Sequence, residues 1–146
     1  MKAAPKSRRR KTILVAEDES QLAGIIRLSL HEAGYKPVVV GDGIEALNYI
    51  LEHRPDVVVL DLMLPRLAGY DLCAMIRRSP TVGRTPLVVI SGMGTDDSKM
   101  RAFEMGVDDY VTKPFVVAEL IARIDAVLRR SAQSPPPTPF LVHSAS

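Results

Sequence analysis

The chain has 146 residues, 47% hydrophobic and 25% charged, with a formal net charge of +2. That is the length of one domain and the balance of a globular one. Its apolar runs are too short to span a membrane as a helix, its single cysteine, Cys73, excludes an internal disulfide and a cysteine metal framework, and so small a net charge does not require nucleic acid along the whole chain.

Residues 1–11 read as a disordered basic arm, with Arg8, Arg9, Arg10 and Lys11 in a run after a proline-containing start. A nucleic-acid contact is the other reading of that run. No apolar stretch of signal-peptide type follows it, so a cytoplasmic location is expected.

From residue 12 to 130 the pattern is regular. Short runs rich in Val, Ile and Leu predict strands at ILVA from Ile13, VVV from Val38, VVVL from Val57, LVVI from Leu87 and VDDYV from Val107. Most do not alternate with polar residues, as expected of strands buried on both faces. Between them, helical spacing joins Leu22, Ile25, Ile26 and Leu30, then Ile44, Leu47, Ile50 and Leu51, then Leu72, Met75 and Ile76. Gly34 and Pro37, Pro55 and Pro80 punctuate the ends of these helices. A fourth helix, around Thr95 to Met105, has only Met100, Phe103 and Met105 as an apolar stripe. The fifth is the clearest, with Val117, Leu120, Ile121, Ile124, Val127 and Leu128. Five βα units in succession predict an α/β domain, a parallel sheet with helices on both faces. The methionines at helical spacing and Cys73 read as core packing. His31, His53 and His143 lack ligand spacing. Residues 131–146, with four prolines between Pro135 and Pro139, suit an extended linker. The chain is either naturally short or the front part of a longer one whose output domain is absent; the second is expected.

In open α/β sheets the ligand site lies beyond the carboxyl ends of the strands. Glu17, Asp18 and Glu19 follow the first strand, Asp61 ends the third, Ser91 and Gly92 follow the fourth, and Thr112, Lys113 and Pro114 follow the fifth. Gly41 and Asp42 after the second read as a turn and a helix cap. Each residue has an ordinary alternative: Asp18, Glu19 and Ser20 as helix caps, Asp61 as a loop starter, Ser91 as a turn hydroxyl, Lys113 as a surface lysine. Together they resist that reading. Two carboxylates about 4 Å apart repel by about 4 kcal/mol at an effective dielectric near 20. A divalent cation, Mg²⁺ or Mn²⁺, removes that cost and takes oxygen ligands. A carboxylate beside such an ion, with a lysine and a hydroxyl nearby, is equipped to accept a phosphoryl group. Asp61 is then the nucleophile, and Lys113 and Ser91 face the transferred oxygens.

The segments ILVAEDE, VVVLDLMLP followed by Gly69, LVVISG and DDYVTKPF, in this order, resemble the receiver domain of bacterial two-component response regulators. The resemblance covers about Lys11 to Arg130. It implies a flavodoxin/CheY-like sheet of order 2-1-3-4-5, with Asp61 the phosphoacceptor. It also implies Asp18 as a direct metal ligand, Glu17 acting through water, and the Met63 backbone carbonyl as a further ligand. Ser91 and Tyr110 become the switch pair, Tyr110 rotating inward on phosphorylation, and Lys113 the lysine whose bond to Pro114 is often cis. Glu17 stands where many members have aspartate, and Gly92 where alanine is frequent.

The segments KMRAFEMGVDDYVTKPF and ELIARIDAVLRR are similar to the OmpR/PhoB-type subfamily. That implies a sensor histidine kinase as partner, and a homodimer through the fourth helix, fifth strand and fifth helix when phosphorylated. The face would use Lys99, Glu104, Asp108, Asp109, Glu119 and Arg123, with Lys99 meeting Glu119 and Asp109 meeting Arg123 across the dimer. Asp125 stands where relatives often carry a basic residue. DNA would be bound only through an output domain missing from this chain, and no membrane contact is implied. The resemblance makes the chain a regulatory phosphoacceptor, not an enzyme. Alternatives are a receiver-shaped interaction module that is never phosphorylated, or a stand-alone relay receiver. An FMN binder would want a Ser/Thr/Gly-rich loop where AEDES stands, and a haloacid-dehalogenase-type phosphatase would want an aspartate where Met63 stands.

Overall fold

The structure is a computed structural model and describes residues 9–133. The elements alternate throughout: β1 (Thr12–Ala16), α1 (Ser20–Glu32), β2 (Lys36–Val40), α2 (Gly43–His53), β3 (Val57–Asp61), α3 (Gly69–Arg78), β4 (Leu87–Ser91), α4 (Asp96–Glu104), β5 (Asp109–Thr112) and α5 (Val117–Gln133). All pairings are parallel, in the order β2-β1-β3-β4-β5. This is the expected α/β architecture.

Alternate strand residues feed two cores. Leu14, Val58, Leu60, Leu87 and Val89 pack with Ala46, Ile50, Leu72, Cys73, Ile76 and Ala102, so α2, α3 and α4 cover one face. Ile13, Val15, Val57, Val59, Val88 and Ile90 pack with Ile26, Leu30, Leu120, Ile124 and Val127, so α1 and α5 cover the other. The continuous apolar runs are thus explained: β3 and β4 are buried along their whole length. Each large aliphatic side chain removed from water contributes about 1.5–3 kcal/mol. Strand β2, at the edge, is only half-buried and tolerates Pro37.

The helix ends follow local chemistry. Asp42 caps α2 by accepting from the Glu45 N–H at 2.8 Å, while Glu45 Oε1 accepts from the Gly41 N–H at 3.0 Å. Thr95 caps α4 through the Ser98 N–H. Glu19 holds the N-cap position of α1 without a side-chain bond, so the capping explanation of that acidic segment is not realised there.

Several expectations need correction. Met75 and Met100 are exposed instead of packed in the core, and so is Phe103. Helix α4 is held by Ala102 alone among its buried residues. Ile25 and Leu51, placed on buried faces by spacing, are also exposed, because the helical stripes facing the sheet are narrower than the apolar pattern. Strand β5 begins at Asp109, two residues after Val107. Helix α5 continues to Gln133, so the expected boundary at residue 130 falls inside it. Of the basic arm, Arg9, Arg10 and Lys11 are described, and Arg10 contacts His31 and Tyr35. The expectations for residues 1–8 and 134–146, His143 included, lie outside the described residues.

Candidate phosphoacceptor and metal site

The chain leaves β1 for β2 on one side and reaches β3 on the other, which opens a crevice at the carboxyl ends of β1 and β3. Glu17 enters it directly after β1, its N–H donating to the Val40 carbonyl at 3.1 Å, one step beyond the strand register. Asp61 enters it as the last residue of β3. Both are buried, at 2% and 3% exposure, whereas Asp18 is exposed. One carboxylate oxygen from each of Glu17, Asp18 and Asp61 lies within 4.8 Å of the others.

Every Asp61 oxygen has a partner. Oδ1 accepts from the Met63 N–H at 2.8 Å, and Oδ2 accepts from Lys113 Nζ at 2.7 Å. The lysine is aimed by its own backbone, whose N–H donates to the Ser91 carbonyl at 2.7 Å, and its bond to Pro114 is cis. Lys113 Nζ also stands 3.1 Å from Glu17 Oε1, yet that oxygen, fully buried, makes no hydrogen bond: the ammonium is close but misaligned. Glu17 Oε2 accepts from the Glu19 N–H at 3.0 Å.

These contacts set the charge states. Burial raises the Glu17 pKa, the Glu19 N–H opposes that, and the Asp61 charge raises it further. For Lys113, burial pulls the pKa down, but the Asp61 hydrogen bond and the charges of Asp61 and Glu17 outweigh it and the net direction is up. When all are ionised, three carboxylates against one ammonium leave a formal surplus of two negative charges. That surplus, an orphaned buried oxygen and an all-oxygen donor set fit a hard divalent cation.

Ser91, fully buried at the end of β4, accepts from the Met93 N–H through Oγ at 3.1 Å. Tyr110 on β5 is 6% exposed and donates to the Met93 carbonyl at 2.5 Å. Met93 links Ser91 and Tyr110 through its main chain, a role invisible in the sequence because it uses no side-chain chemistry.

Of the residues expected at a dimer face, Asp108, Asp109, Glu119 and Arg123 pair within the chain. Arg123 bonds Asp109 at 3.0 Å and Glu119 at 3.1 Å. Asp108 is held by Arg77 at 3.1 Å and accepts from the Leu87 N–H. Lys99 is half-buried and Glu104 exposed on α4. Asp125 turns to the loop between α1 and β2, where it accepts from the Tyr35 hydroxyl. Arg77 was not anticipated: besides Asp108 it donates to the carbonyls of Gly83, Thr85 and Gly106, fastening α3 to two loops. Buried Cys73 has its thiol pushed up to about 11 by burial, as packing requires.

A doubly wound sheet with a carboxylate cluster facing a lysine at its switch point defines an acidic, cation-competent regulatory domain. The chain belongs to the response regulator receiver domain family, whose pattern matches residues 13–125. It is 40% identical over 149 residues to the alkaline phosphatase synthesis transcriptional regulatory protein SphR of Synechococcus elongatus, covering 96% of this chain and 56% of that one. The receiver domain of the Francisella response regulator 1452 superposes with a TM-score of 0.79 at 34% identity, covering 84% of this chain and 99% of that one. The receiver domain of the sensor histidine kinase PA1611 from Pseudomonas aeruginosa PAO1, solved with a magnesium ion in its active-site cleft, gives 0.76 at 28% identity, with 82% and 98% covered. Its curated relatives are of the OmpR/PhoB type, and the chain spans about half their length. Among the described residues no helix is long and apolar enough to cross a membrane.

Proposed function

We propose that this chain is a phosphorylation-activated switch in which Asp61 accepts a phosphoryl group from a sensor histidine kinase. The observation that carries the reading is the setting of Asp61: a buried carboxylate gripped by Met63 N–H and Lys113, beside the carboxylates of Glu17 and Asp18. An Asp61 oxygen attacks phosphorus in line, the P–N bond of the donor phosphohistidine breaks, and its electron pair returns to the imidazole. Lys113 keeps its charge beside the reacting oxygens, and Ser91 offers its hydroxyl to the new dianion. Glu17, Asp18, Asp61 and the Met63 carbonyl would hold Mg²⁺ or Mn²⁺. The bound ion supplies neutralisation of the equatorial oxygens.

Movement of Ser91 toward phosphate pulls on Met93, and through Met93 on Tyr110 and the start of α4. Helix α4, held by one buried residue, is the element that shifts cheaply. Its exposed Met100 and Phe103 support a homodimer through α4, β5 and α5, for which Arg123 exchanges intrachain for interchain partners. The residues before and after the receiver serve as an arm and a linker. The output is transcription, through a DNA-binding domain beyond this chain; the length and names of the relatives support it. The location that fits this role is the cytoplasm.

Incubation with Mg²⁺ and acetyl phosphate, read by intact mass, tests the proposal. Wild type should gain one phosphoryl group and Asp61→Asn none. An unmodified wild type, or equal gain in the variant, contradicts it. Size exclusion with beryllofluoride tests the dimer separately.

A further inference from the structure

The rim of the sheet opposite the carboxylates carries the reverse charge. A cleft of about 320 Å³ lies between α1 and the amino ends of β1 and β2, lined by Arg10, Arg27, His31, Tyr35, Lys36 and Pro37. No carboxylate lines it. Arg10, Arg27 and Lys36 are exposed, and none of them enters an ion pair among the described residues. Part of the cluster has a local cause: Arg10 reaches His31 Nδ1 at 3.3 Å and the Tyr35 carbonyl at 3.4 Å, near the negative end of the α1 dipole. Arg27 and Lys36 have no such cause.

Asp56, Asp125 and Glu32 are not among the residues that line the cleft. Asp56 accepts the Thr12 N–H at 2.7 Å, Asp125 is turned to the Tyr35 hydroxyl, and Glu32 is exposed on α1 without an ion pair among the described residues. Arg9 and Lys11, on either side of Arg10 in the chain, are exposed and add positive charge next to it.

We propose that this α1–β2 edge is a nucleic-acid backbone contact, in which Arg10, Arg27 and Lys36 hold successive phosphates of a DNA duplex. Three exposed cations without ion-pair partners along one edge complement the regularly spaced charges of a duplex backbone. A membrane surface fits less well, because the large aromatic ring in the lining, Tyr35, is half-buried and its hydroxyl is bonded to Asp125. The contact carries no sequence information. It adds to affinity once another part of a longer protein is on DNA, since tethering raises the effective concentration. It lies on the rim away from Asp61, so it stands or falls independently of the phosphoacceptor.

The test is fluorescence anisotropy of a random-sequence duplex titrated with the whole chain. Three phosphate contacts give a log–log salt slope of about −2.7, about a 40-fold loss of affinity between about 50 and 200 mM salt. The triple variant Arg10→Gln, Arg27→Gln, Lys36→Gln should bind at least about tenfold more weakly at the lower salt. Asp61→Asn should bind like wild type. Protection of Lys36 from acetylation by duplex, measured on wild type, decides the matter even if the triple variant does not fold. Failure of wild type to bind duplex, equal binding by a folded triple variant, tighter binding to phosphatidylserine vesicles or polyglutamate, or an unprotected Lys36 each overturns the proposal.

Discussion

Lys113 Nζ lies 2.7 Å from Asp61 Oδ2, in hydrogen-bonding alignment, and 3.1 Å from Glu17 Oε1, out of it. One ammonium therefore serves two buried carboxylates unequally. Removing it leaves both charges without compensation. Lys113→Ala should lose about 3 kcal/mol in the presence of EDTA, the low end for breaking a buried pair, because the lysine is 25% exposed. Saturating Mg²⁺ should restore part of that loss and stabilise the variant more than wild type. Urea melts with and without Mg²⁺ check this; equal Mg²⁺ effects on both proteins would contradict it.

Glu17 gives a pH dependence of known sign. Its folded pKa is raised, chiefly by burial. A carboxyl of that kind contributes stability that is fully present below its unfolded value of about 4.3 and is lost as pH rises through the folded value. Lys113, whose folded pKa is raised, contributes stability present below its unfolded value of about 10.4 and lost at higher pH. Glu17→Gln should therefore match or exceed wild type in ion-free stability at pH 7, while its Mg²⁺-induced gain shrinks. Wild-type Mg²⁺ affinity should fall on acidification, because the ligand must be ionised. Calorimetric titration of Mg²⁺ across pH measures both effects.

Gly69 permits the return from β3 into α3. A Cβ there would sit 2.5 Å from Leu62 Cα and 3.0 Å from Leu62 O. Backbone cannot yield as a flexible side chain does, so Gly69→Ala should destabilise by about 1–3 kcal/mol. Because Leu62 adjoins Asp61, the same change should slow labelling by acetyl phosphate. A melt and a labelling time course, compared with Gly24→Ala, which meets nothing within 4 Å, separate this from a general glycine effect.

Tyr35 and Asp125 tie the turn between α1 and β2 to α5 through a hydroxyl–carboxylate hydrogen bond. Burial and then Asp125 raise the tyrosine pKa. Tyr35→Phe removes the donor and should cost about 1–3 kcal/mol. Asp125→Asn keeps an acceptor and should cost less. A double-variant cycle by urea melt gives the coupling; a value near zero would show that the contact does not contribute in solution.

The sheet was legible because β1, β3 and β4 are buried on both faces, and only apolar runs satisfy that setting. The rim was legible for the same reason: Glu17, Asp61 and Ser91 stand where such a run stops. Helical periodicity was less informative on α4, where Met100 and Phe103 have the spacing of a buried stripe but point outward. Main-chain roles left no trace in residue type. Met93 joins Ser91 to Tyr110 through its N–H and carbonyl, and Arg77 fastens three carbonyl groups that come together only in the fold. The family resemblance pairs Asp109 with Arg123 and Lys99 with Glu119 across a dimer, whereas within one chain Arg123 reaches both Asp109 and Glu119.

The central claim is that the Glu17–Asp18–Asp61 cluster makes Asp61 the acceptor of a phosphoryl group in an ion-dependent reaction. The most direct measurement treats the protein with acetyl phosphate and Mg²⁺, reduces the acyl phosphate with borohydride, and maps the reduced residue by peptide mass spectrometry. Reduction at Asp61 alone, lost when EDTA replaces Mg²⁺, is the predicted result. Reduction at another carboxylate, or at Asp61 to the same extent in EDTA, would contradict the account.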